Sequence, residues 1–77
     1  MRIVDTIPHP AMTISIFQMN DKYQVKFEAG PMEQTFKFRV DDIGNLENLK
    51  QKITEDFIAT TYARFNDMFA QFKLTLE

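Results

Sequence analysis

From Met12 to Val40 apolar and polar residues alternate with period two, and the alternation is interrupted twice by turn-forming pairs. "MTISIFQM" runs into Asn20-Asp21, "KYQVKFEA" runs into Gly30-Pro31, and "MEQTFKFRV" follows. Asn, Asp and Gly accept the positive φ that tight hairpin loops require, so the pattern predicts a three-stranded antiparallel meander over 12–40 with strand order 1-2-3. Because a one-residue slip would exchange the two faces of a strand, the two hairpins can be tested against each other. With Asn20-Asp21 as the first loop, Gln18 faces Tyr23, Ile16 faces Val25 and Ile14 faces Phe27. With Gly30-Pro31 as the second, Phe27 faces Gln34, Val25 faces Phe36 and Tyr23 faces Phe38. Both hairpins then agree on one apolar face made of Ile14, Ile16, Tyr23, Val25, Phe27, Phe36, Phe38 and Val40. The same register sets Glu28 opposite Glu33, a like-charge pair that a diagonal Lys26 offsets.

Beyond Val40 the period changes. The acidic turn "DDIG" leads to Asn45, a good N-cap, and Glu47 falls in the first turn, where the helix dipole favours negative charge. Leu46, Leu49, Ile53 and Phe57 follow at spacings of three and four, with no Pro or Gly after Gly44 to stop them. One helix is expected over 45–72. The terminal "FKLTLE" alternates like a strand, which leaves helix, fraying and a short further strand open for the last residues. The expected fold is therefore α+β, a two-layer βββα domain over 1–77, with the meander packed on one long C-terminal helix. Residues 1–11 form an extended N-terminal segment, in which Pro8 and Pro10 hold Ile7 and His9 extended as a stiff lead-in to the first strand. A helix of about 26 residues spans roughly 39 Å, against about 27–30 Å for strands of this length. Part of it must overhang the sheet, bend, or meet something else.

Two surfaces stand out. On the outer face of the sheet the register brings Phe17, Met19, Lys22, Lys37 and Arg39 together, a compact apolar and basic patch. Its plain reading is a solvated face whose cations keep a small sheet soluble; its functional reading is a binding patch for an acidic peptide or single-stranded nucleic acid. On the helix, the apolar residues keep to a narrow stripe up to Phe57. Thereafter Ile58, Tyr62, Phe65, Met68, Phe69 and Phe72, with Phe57, spread over roughly 140°. Phe57, Met68 and Phe72 suffice to continue the first stripe, so Ile58, Tyr62, Phe65 and Phe69 are left as a candidate homodimer interface. The plain reading is a helix that bends so that its aromatics wrap the sheet end.

The remaining composition removes other functions. With 77 residues and no cysteine, neither disulfides nor thiolate metal sites can supply stability, so apolar packing must do so. The 44% apolar content places the chain among globular domains. A net charge of −2 speaks against coating nucleic acid by global charge. The N-terminus lacks an apolar signal core and no apolar run spans a bilayer, so a cytoplasmic protein with no membrane partner is expected. His9 is the single histidine, too few for a transition-metal site. Ser15 falls mid-strand, and His9 would have to fold back over the outer face to reach it. Gly30 and Gly44 match no phosphate-binding loop. No enzyme, metal or cofactor is expected.

The elements "IPHP" and "KYQVKFEAGPMEQTFKF", with the acidic turn before the helix, resemble those of small uncharacterised bacterial proteins of about this size. The resemblance implies a bacterial, cytoplasmic protein and carries no activity and no site residue. The expected function is a small non-catalytic interaction or structural module, self-associating through its C-terminal helix. The alternative is a binder of acidic peptide or single-stranded nucleic acid through the outer face.

Overall fold

The computed structural model describes residues 2–77 and has an α+β architecture: an antiparallel sheet backed on one face by helices, the last of them long. The sheet has four strands, not three. β1 (Arg2–Ile7), β2 (Thr13–Met19), β3 (Lys22–Ala29) and β4 (Met32–Arg39) lie in the order β1-β2-β3-β4.

Over β2, β3 and β4 the pairing follows the alternation residue by residue. Ile16 faces Val25, Val25 faces Phe36, and Tyr23 lies between Gln18 and Phe38. Both turns have positive φ at the first of their two loop residues, 50° at Asn20 and 58° at Gly30, the sign expected of primed hairpin turns. Glu28 does sit opposite Glu33, and Lys26 answers it with an ion pair to Glu33 at 3.3 Å.

The added strand corrects the N-terminal segment. Arg2–Ile7 is not a lead-in but pairs antiparallel with β2, Ile3 opposite Phe17 and Ile7 opposite Ile14. A bulge between Ile3 and Asp5 places an extra residue against Ile16. It interrupts the period-two pattern, and so hides the strand from the alternation of apolar residues. Val4 consequently packs on the core, while Asp5 pairs with Lys50 on the helical layer. Pro8 to Met12 is then the connection between β1 and β2.

The single helix expected over 45–72 is also corrected. Val40–Ile43 (α1) is one turn, ended by Gly44 at φ 94°, a conformation that favours glycine. α2 (Leu46–Lys52) starts where expected: Asn45 Oδ1 accepts from Asn48 N at 2.9 Å. It stops at Ile53, because Thr54 has extended backbone and caps a new helix, its Oγ1 accepting from Phe57 N at 3.2 Å. Glu55 and Asp56 follow in the first turn, where the dipole favours them. α3 (Glu55–Thr75) continues past Phe72, so the terminal residues are helical nearly to the end.

This break settles the length mismatch. Leu49 and Ile53 close one part of the sheet, and the redirected α3 brings Phe57, Thr61 and Phe65 onto the rest. Phe27, fully buried, stacks on Phe57 at 5.9 Å and meets Phe36 edge-on at 6.1 Å. Gln34 clamps α3 to β4. Its Nε2 donates to the Thr61 carbonyl at 3.1 Å, and its Oε1 accepts from Arg64 at 2.8 Å. The buried Thr61 hydroxyl donates to the Phe57 carbonyl at 3.0 Å, so it carries no unmet hydrogen bond.

Candidate interaction surfaces

α3 has 21 residues, about 31 Å of helix. Met68 is the last residue of α3 packed against the core, so seven further residues to Thr75, about 10 Å, project beyond it. The whole molecule shows this: its radius of gyration is 13.6 Å, against about 11.5 Å for a compact chain of this length.

The four residues singled out for an interface divide. Phe65 is only 3% exposed and belongs to the core with Phe27 and Leu49, which corrects its assignment to a contact surface. Its place opened because α3 turns at Thr54 and runs beside β4. Ile58 is half-buried against the core, while Tyr62 and Phe69 are 42% and 48% exposed. Phe72, expected to continue the core stripe, is instead open at 37%, because the sheet ends before it; Leu74 and Leu76 are more exposed still. At 100° per residue, Ile58, Tyr62, Phe69, Phe72 and Leu76 centre roughly 70° round the helix from Phe57, Thr61, Phe65 and Met68. α3 thus carries two adjoining stripes, one packed on the sheet and one largely open. Without the buried Phe65, the open stripe runs through Ile58, Tyr62, Phe69, Phe72 and Leu76 at spacings of four, seven, three and four.

Beside this stripe lies a cleft of about 610 Å³. The segment Pro8–Ala11 forms one wall; Glu55, Ile58, Ala59 and Tyr62 of α3 form the other. His9 Nδ1 accepts from Ala11 N at 3.0 Å, and its ring lies 6.1 Å from that of Tyr62. Besides stiffening the connection, the two prolines therefore hold a rigid wall against α3. A second, smaller hollow of about 280 Å³ shares Ala11 and Tyr62 and continues along Gly30, Pro31 and Phe69. Sequence reasoning missed the cleft, since one wall needed β1 and the other the turn at Thr54 to place it.

His9 meets Tyr62 on the helical side of the sheet, whereas Ser15 lies between the inward Ile14 and Ile16 and so points to the other side. The two do not form a dyad. Among the described residues no three His, Cys, Asp or Glu side chains are grouped to hold a metal ion.

On the outer face, the register lays Phe17, Gln24 and Lys37 in one row and Met19, Lys22 and Arg39 in the next. β1 adds Ile3, 53% exposed, directly beside Phe17. Lys22 and Arg39 are directly opposed like charges, and Arg39 leans toward Asp41 at 3.8 Å.

Among the described residues no helix is long and apolar enough to cross a membrane. Comparison with protein families, curated proteins and solved structures finds no match, so what these surfaces do must be read from their own chemistry.

Proposed function

We propose that the chain is a small non-catalytic interaction module that self-associates as a homodimer through the open stripe of α3. One observation carries this reading: Tyr62, Phe69, Phe72 and Leu76 line a helix that outruns its own sheet. A domain of this size has a thin margin of stability, and leaving four large apolar groups in water on an ordered helix gains the monomer nothing. Burying each is worth about 1.5–3 kcal/mol, enough together to offset much of the entropy lost on association. The absence of cysteine fits a reducing compartment, and we place the protein in the cytoplasm of a bacterial cell on that ground and on the resemblance noted above.

Sedimentation of the wild type at concentrations on the order of 100 μM, well above a micromolar Kd, should give twice the chain mass. Phe69→Glu should give a folded monomer. A monomeric wild type would end this reading.

The outer face supports a second one. Ile3 and Phe17 lie beside Lys22, Lys37 and Arg39, an apolar platform flanked by cations, as suits an acidic peptide or a single strand of nucleic acid. Titration with single-stranded oligonucleotides at low salt tests it. Unmoved backbone resonances of these five residues at millimolar ligand would remove nucleic acid.

A further inference from the structure

Granted that self-association, we infer that the two α3 helices pack antiparallel about a two-fold axis, so that Phe72 and Leu76 of each chain fill the partner's cleft between Pro8–Ala11 and α3.

The first reason is area. The stripe alone leaves on the order of 400 Å² of apolar side chain open on each protomer, about half of the ~800 Å² that each side of a stable dimer covers. A contact limited to the stripe is too small. The cleft, lined in part by Pro8, Ala11, Ile58 and Ala59, is adjoining apolar surface that enlarges the contact toward that size.

The second reason is register. The cleft adjoins residues 55–62 of α3 and the projecting side chains occupy 69–76, so the hollow and its filling lie at opposite ends of one helix. Only a head-to-tail alignment of two helices brings each onto the other. Setting Phe69 opposite the partner's Tyr62 puts Phe72 opposite the partner's Ala59 and Leu76 opposite the partner's Glu55. A parallel alignment would set the two projecting ends together and leave both clefts empty.

The third reason is charge. Glu55 lies in the first turn of α3 and Lys73 in the last. Both sit at the same angle round the helix, on the flank of the open stripe. A two-fold axis across antiparallel helices keeps that flank on one side, so Lys73 comes within about one helical turn of the partner's Glu55, twice per dimer. Within one chain Lys73 rests over the Phe69 ring, 5.7 Å from its centroid, so its ammonium already lies along the stripe.

The chain has no cysteine, so engineered thiols report without background. Ala59→Cys and Lys73→Cys, both at exposed positions, are prepared as separate full-length proteins and their mass in solution is measured. Mixed and oxidised, they should form a disulfide-linked pair containing one chain of each kind, while neither protein crosslinks to itself. If both proteins are dimeric but Lys73→Cys crosslinks to itself, or the mixture gives no heterodimer, the antiparallel arrangement is wrong while self-association stands. If the wild type is a monomer, the functional reading falls first and this inference with it.

Discussion

The two ends of the helical layer are built from similar residues and treated differently. Over one end, Leu49 and Ile53 sit on β-strand residues with almost no exposure, and Lys50 reaches across to Asp5. At the other, Phe69, Phe72 and Leu76 are as apolar as anything in the core and face solvent. Residue type does not separate them, since an aromatic at 65 is buried and one at 69 is not. What separates them is whether strand lies beneath. α2 ends within the sheet and α3 does not, so the apolar side chains at the far end of α3 have no strand beneath them and stay open.

The largest expected effect breaks the comparison at its centre. Phe27→Ala removes the ring that joins Phe36 and Phe57, and large-to-small changes at such sites cost about 3–5 kcal/mol. A chain of this size has a total stability of only about 4–12 kcal/mol. Urea titration should find the variant largely unfolded or close to it. The matching change on the open stripe, Phe69→Ala, should leave the stability of a dilute sample within about 0.5 kcal/mol of wild type. A comparable loss at both positions would mean that the projecting end is part of the core after all.

How much of this was legible in the sequence follows from how local each determinant is. The meander was readable because its register is fixed by two short loops and by unbroken alternation, from Ile14 to Val40. β1 was not, because its bulge sets Val4 and Asp5 against one partner residue and spoils the period. The break at Thr54 was readable in principle: a threonine followed by Glu55 and Asp56 is an N-cap signal, but the continuing apolar spacing from Leu49 to Phe57 masked it. The surplus of apolar residues on the second half of the helix was visible. Which of them the sheet would take was not, since that depended on the turn at Thr54, and Phe65 and Phe72 exchanged their expected places accordingly.

That turn offers the next test. Thr54→Ala removes the acceptor for Phe57 N and should cost about 1 kcal/mol, within the 0.5–2 kcal/mol usual for a lost cap. Because the turn aims α3 along β4, the loss should also loosen the Gln34 contacts with Thr61 and Arg64, seen as faster amide exchange around Thr61. Thr54→Ser should retain both. If the alanine variant is as stable as wild type, the direction of α3 is set by packing alone and the cap is incidental.

The smallest effect concerns the closed end, where Asp5 ties the bulged edge strand to α2. The Lys50 ammonium, 2.6 Å from one Asp5 oxygen, and the Thr6 N–H, 2.8 Å from the other, both favour the carboxylate and hold its pKa below the ordinary 3.8. A carboxyl depressed by folding stabilises the native state above its unfolded pKa, and that contribution is lost as pH falls through the lower native value. Lys50→Met removes the larger of the two causes, so the Asp5 pKa should move back toward 3.8. The stability difference between wild type and variant should then hold steady above about pH 5, narrow below 3.8, and shrink with added salt, because the pair lies at the surface. Monitoring the Asp5 side chain by NMR alongside thermal melts separates this from lost packing of the lysine stem, which would lower stability equally at every pH. A gap that does not narrow in acid would show that Lys50 acts on β1 through its methylenes and not through its charge.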